Sequence, residues 1–162
     1  MIDLANRIIA PKQKIMCSTT HAIFPGSYNP VHNAHFGMAQ EVQERFNLDP
    51  IFTITSTHPD KGDLSTEECL KRSLPINEKG YSVLFTENDG LFIDKAKAFP
   101  GYHFVVGADT LERLFDPKYG IDKCVLLDKF EQYRTKFVCF DRIIGDKNFY
   151  AGKIINEILL PN

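Results

Sequence analysis

The sequence predicts an α/β protein of three layers, with helices on both faces of a parallel sheet of five to six strands. Short β-branched or aromatic runs alternate with helical patterns from residue 21 almost to the end, and right-handed crossovers turn that order into a parallel sheet. The length agrees: 162 residues with 43% hydrophobic content fill one core and are short for two. In such sheets ligands bind outside the carboxyl ends of the strands, near a reversal of strand order.

The elements follow in order. Residues 1–20 read as an N-terminal extension or linker, a short helix built on Leu4, Ala5, Ile8 and Ile9 followed by Pro11 and a polar piece, ahead of a domain spanning 21–162. His21-Ala-Ile-Phe24 is a buried strand that stops at Pro25-Gly26, and His35 to Phe46 is a helix with Met38, Val42 and Phe46 at i, i+4, i+8. Ile51 to Thr57 alternates as the second strand, and His58 to Gly62 is its exit loop. Ser65 and Glu68 make a capping-box pattern, with Leu64 and Cys69 at staple spacing, so a helix runs from about Ser65 to Ser73. Tyr81 to Thr86 is the third strand. Asp89 to Phe99 is a helix with Phe92, Ala96 and Phe99 on one face, ended by Pro100-Gly101. Tyr102 to Val106 is the fourth strand, and Gly107-Ala-Asp109 opens another helix. Ile121 to Tyr133 is helical along Ile121, Cys124, Leu127 and Phe130, Lys136 to Phe140 is the fifth strand, and Ile154 to Leu159 is a last helix stopped by Pro161.

Composition narrows the function. A formal charge of −2 argues against a protein that grips nucleic acid through backbone electrostatics and suits a small anionic ligand. Cys17, Cys69, Cys124 and Cys139 lie far apart without zinc-type spacing, so they read as reduced thiols and no structural metal is expected. No apolar run reaches the ~18 residues of a membrane span, and the start lacks a signal peptide's pattern. A cytoplasmic protein is the expectation, with no membrane partner and with a homo-oligomer left open.

The stretch from Ile23 to His35 holds the chemistry. A strand stop, a glycine turn and two histidines one helical turn apart present backbone N–H groups, a helix dipole and protonatable donors to an anion, best a phosphate. Gly26-Ser-Tyr-Asn-Pro-Val-His32-Asn-Ala-His35 resembles the GSFNPxHxGH signature of the HIGH-motif nucleotidylyltransferase superfamily. Val106-Gly-Ala-Asp-Thr110 is similar to the GAD turn of its nicotinamide or nicotinate mononucleotide adenylyltransferase branch, which serves NAD biosynthesis. With Asp116-Pro-Lys-Tyr119 following, the pattern most resembles cytidylyltransferase-like proteins.

That resemblance implies a Rossmann-like fold and an enzyme that moves an adenylyl group from ATP to a small phosphorylated acceptor, with release of pyrophosphate. It implies His32 and His35 as the catalytic pair on the triphosphate, with Mg²⁺ accompanying ATP and no residue assigned to a metal. Phe24, Gly26, Ser27, Tyr28 and Asn29 would line the nucleotide, with Tyr28 in place of the usual phenylalanine. Lys61 and Arg72 stand where relatives carry basic residues near phosphate. Gly107, Asp109 and Thr110 would face the second nucleotide, and Arg142 resembles the arginine after the fifth strand. Two departures matter. Ala34 replaces the glycine between the histidines, and nothing after Arg142 matches the ISSTxxR-like segment with which relatives bind the triphosphate. Either the domain lacks its C-terminal end or another group takes that role, and a catalytically weak or inactive nucleotide-binding module is the alternative function. A nucleic-acid role ranks behind both, since no KMSKS-like stretch is present.

Overall fold

The computed structural model describes residues 8–9, 17–58, 62–87, 89, 91–107, 110, 114, 122–142 and 150–154. In chain order the elements are β1 (Ile8–Ile9), β2 (His21–Pro25), α1 (Asn33–Phe46), β3 (Asp49–His58), β4 (Gly62–Asp63), α2 (Thr66–Glu78), β5 (Ser82–Glu87), α3 (Phe92–Ala98), β6 (His103–Gly107), α4 (Lys123–Gln132), β7 (Lys136–Arg142) and β8 (Tyr150–Ile154). The sheet runs β1-β5-β3-β2-β6-β7-β8, with β4 beside β3. Its middle five strands, β5 to β7 in that order, are all parallel, and β1, β4 and β8 add antiparallel edges. The three-layer α/β reading therefore stands.

Period-two alternation sorts the strand residues between two cores. Phe24, Phe52, Phe85, Val105 and Phe140 pack with Met38 and Val42 of α1 and Cys69 and Ile76 of α2. Ile23, Phe104, Val106 and Phe137 pack with Ala96 of α3 and Leu126 and Phe130 of α4. The chain winds outward from β2 through β3 to β5, then returns to the other side of β2 for β6 and β7. The strand order thus reverses between β2 and β6, and both strands end at the same edge.

Several sequence expectations are corrected. Ile8–Ile9 is a strand that pairs with Leu84 and Val83 of β5; in place of the short helix, its backbone adds an antiparallel strand to the edge of β5. Ile154 ends β8, paired with Val138, where a helix was expected to begin; residues 155–162 lie outside the described residues. The loop after β3 tightens into a pairing of Thr57 and His58 with Asp63 and Gly62. Helix α2 continues through Pro75 to Glu78, because Ser73 and Ile76 carry its buried seam onward and packing outweighs the amide lost at proline. In α4 the buried residues are Leu126 and Phe130, whereas Cys124 is exposed. Among the described residues no helix is long and apolar enough to cross a membrane.

Candidate active site

The loop leaving β2 is held by main-chain and aromatic contacts. Past the last β2–β3 pair, Pro25 with Thr53, Gly26 N–H donates to Thr53 O at 3.1 Å. Tyr28 takes up a left-handed φ of 48° and turns its ring back under the loop, 2% exposed, where its hydroxyl donates to Phe24 O at 2.6 Å. That return explains Gly26. A Cβ there would lie 2.8 Å from Tyr28 Cζ, so the tight turn and the buried ring require each other. Phe24 and Tyr28 also pack against the ring of His35, with centroids 6.1 and 5.0 Å away.

The histidines start α1. His32 is its N-cap, with extended φ −137° and ψ 176°, and His35 sits one turn on. His32 N–H donates to His35 Nδ1 at 3.2 Å, and the two rings stack with centroids 3.8 Å apart. Burial, and then the neighbouring His32, lower the pKa of His35 from 6.5 to about 4. At neutral pH His35 is therefore uncharged. Because its Nδ1 accepts a hydrogen bond, the ring proton resides on Nε2, which makes that atom a donor. His32 stays exposed.

Arg72 reaches the same loop from α2. Its Nη1 donates to Ser27 O at 3.3 Å, and its Nε donates to Glu68 Oε1 at 2.9 Å. Thus Phe24, Gly26, Ser27, Tyr28, His32, His35 and Arg72 converge at the carboxyl end of β2, and Asn29 is exposed on the loop. Gly107 ends the adjacent β6 and pairs with Phe140, and Thr110 is helical and half-buried. Arg142 pairs through its backbone with Tyr150 at the end of β7. Its side chain, Lys61 and Asp109 lie outside the described residues.

A family model described as cytidylyltransferase-like matches residues 23–155. The chain belongs to the cytidylyltransferase-like family. Several curated relatives are named probable nicotinate-nucleotide adenylyltransferase. The one from Lactococcus lactis subsp. lactis (strain IL1403) is 30% identical over 128 residues, which are 68% of this chain and 65% of the relative. That of Clostridium botulinum (strain Hall / ATCC 3502 / NCTC 13319 / Type A) is 45% identical over 157 residues, 85% of this chain and 77% of the relative. A third, from Clostridium acetobutylicum, is 25% identical over 156 residues, 85% and 76%. The chain therefore spans 65% to 77% of the length of these relatives. Membership of the cytidylyltransferase-like family places the chain in the HIGH-motif nucleotidylyltransferase superfamily, and the relatives' names point to a nucleotidyltransferase enzyme.

Sequence reasoning missed a second polar group at this edge of the cytidylyltransferase-like domain, beyond β3 and β5. Asp89 Oδ1 accepts from Thr55 Oγ1 at 2.8 Å and Thr86 Oγ1 at 2.5 Å. Lys95 Nζ donates to Asp89 O at 2.6 Å and Thr55 Oγ1 at 3.1 Å and stands 3.7 Å from Asp89 Oδ2. Asp89 is 3% and Lys95 7% exposed, and burial lowers the pKa of Lys95 despite the Asp89 charge. A signal was present. Lys95 follows Phe92 by three residues and so falls on the apolar stripe of α3.

Proposed function

We propose that the chain transfers an adenylyl group from ATP to the phosphate of a nicotinate or nicotinamide mononucleotide and releases pyrophosphate. The name shared by the relatives favours nicotinate. One observation carries the reading: two stacked histidines at the first turn of α1, at the carboxyl edge where the strand order reverses.

In this reaction an oxygen of the acceptor phosphate attacks the α-phosphorus of ATP. The bond from that phosphorus to the oxygen bridging to the β-phosphate breaks, and its electron pair leaves with pyrophosphate. No covalent enzyme intermediate is needed, so catalysis consists of positioning and of donors aimed at growing negative charge. His35 suits that task. Its Nδ1 is fixed by His32 N–H, its ring is braced by Phe24 and Tyr28, and its Nε2–H is the donor left for a phosphate oxygen. The α1 dipole adds positive potential at the same place.

A divalent cation, proposed as Mg²⁺, would be held by phosphate oxygens and water and supply charge neutralisation. Among the described residues no three His, Cys, Asp or Glu side chains group as metal ligands.

The test is direct. Incubation with ATP, Mg²⁺ and each mononucleotide is expected to yield pyrophosphate and the dinucleotide. His35→Ala is expected to lower kcat/KM about 100-fold or more, as loss of one preorganised donor does elsewhere. An unchanged rate in that variant sinks the assignment, and ATP binding without turnover in the wild type would favour a nucleotide-binding module instead.

A further inference from the structure

We propose that Arg72 is a positioning residue that braces the histidine loop from below, and so fixes His35 before any nucleotide arrives. The proposal rests on reading the histidine pair as the triphosphate site, and it changes the role expected of Arg72 from phosphate ligand to support.

A continuous chain of hydrogen bonds leads from helix α2 to the loop. Ser65, the N-cap of α2, accepts the Glu68 N–H at 3.1 Å on its Oγ. The Glu68 carboxylate accepts Arg72 Nε at 2.9 Å, and Arg72 Nη1 reaches 45 residues back to Ser27 O at 3.3 Å. The Arg72 side chain is only 14% exposed, and the planar guanidinium holds both partners from one rigid fork. Its grip falls next to the loop's most constrained residue. Ser27 precedes Tyr28, an aromatic residue at φ 48°, a conformation that persists only where surroundings impose it. Tyr28 in turn packs on His35, so a force applied at the Ser27 carbonyl reaches the imidazole in two steps.

A lysine cannot replace this arrangement. Its single ammonium on a flexible stem lacks the paired planar donors that join the Glu68 carboxylate to the Ser27 carbonyl. A simple phosphate-binding cation would tolerate that change far better.

The experiment uses the free protein and reads imidazole titration by long-range ¹H–¹⁵N NMR in wild type, Arg72→Lys, Arg72→Gln and Glu68→Gln, with thermal melts to confirm folding. In wild type His35 is expected to show the Nε2–H tautomer and a midpoint near 4. Both Arg72 variants are expected to move the midpoint upward toward 6.5 and to mix in the Nδ1–H form, as the released ring meets water. Glu68→Gln, which keeps an acceptor for Nε, is expected to shift it less. An unchanged His35 in folded Arg72→Lys and Arg72→Gln overturns the brace and leaves Arg72 as a direct ligand or a bystander. Since no substrate is present, this result is independent of turnover. Absent adenylyl transfer in wild type would overturn the proposed reaction while the titration still decides the brace.

Discussion

Two polar groups occupy the carboxyl edge of one sheet, and they are built oppositely. The histidine pair is partly open, and His35, uncharged at neutral pH, accepts the His32 N–H on Nδ1, which leaves Nε2 as its donor. The Asp89–Lys95 pair is sealed: Asp89 Oδ1 and Lys95 Nζ bond to Thr55, Thr86 and the Asp89 carbonyl, while Asp89 Oδ2, buried with no hydrogen-bond partner among the described residues, faces the Lys95 ammonium at 3.7 Å. Reactivity needs donors held rigidly and open to substrate, whereas a buried structural charge is compensated by an opposite charge within the fold. The contrast therefore separates the group proposed to act on substrate from the group that ties β3, β5 and α3 together.

The sharpest way to break that contrast is Lys95→Met. Leaving Asp89 buried beside an apolar chain is expected to cost about 3–5 kcal/mol of stability, read as a lower urea midpoint. Asp89→Asn with Lys95→Met should recover most of the loss, because the uncompensated charge is gone. If Lys95→Met melted like wild type, the sealed group would not be an ion pair of structural weight.

On the open side, Gly26→Ala drives a methyl to 2.8 Å from Tyr28 Cζ. Relief requires moving the ring or the loop, an overpacking cost of about 1–3 kcal/mol. Activity should fall together with stability, since the ring that must move is the one packed on His35. Full activity in this variant would detach Tyr28 from the catalytic geometry.

A further expected effect lies in pH. The folded pKa of His35, about 4, is below the ordinary 6.5, so between those values the unfolded chain takes up a proton that the folded ring refuses. Its stabilising contribution is complete above pH 6.5 and is lost as pH falls toward 4. His35→Asn, which keeps a side-chain acceptor for His32 N–H, is expected to lose less stability than wild type between pH 7.5 and pH 4.5 in urea unfolding. Equal losses would show that the ring is solvated like a free imidazole.

Much of this was legible in the residues. The strand-to-helix order needs only hydrophobic period and turn chemistry, both local, and it located β2, α1, β3, β5, β6 and β7 closely. The site was legible because Gly26, His32 and His35 fall within ten residues joined by one loop. The errors were at sheet edges and helix ends. Ile8–Ile9 and Ile154 became strands through partners distant in sequence, 76 residues for Ile8–Leu84 and 16 for Val138–Ile154, and no local pattern reports an unpaired edge.

The sequence by itself determined the alternating order of strands and helices and pointed to a glycine turn with paired histidines as a candidate phosphate loop, whereas the expected single core is two apolar clusters in the structure, one on each face of the sheet. Only the tertiary structure decided what those residues do for one another. It set the tautomer of His35 through the N–H of His32, brought Arg72 across 45 residues to the Ser27 carbonyl, and buried Asp89 with Lys95. The physical reason is that propensity and period act over one turn or one strand, whereas donor geometry and desolvation depend on whichever segments the sheet places side by side.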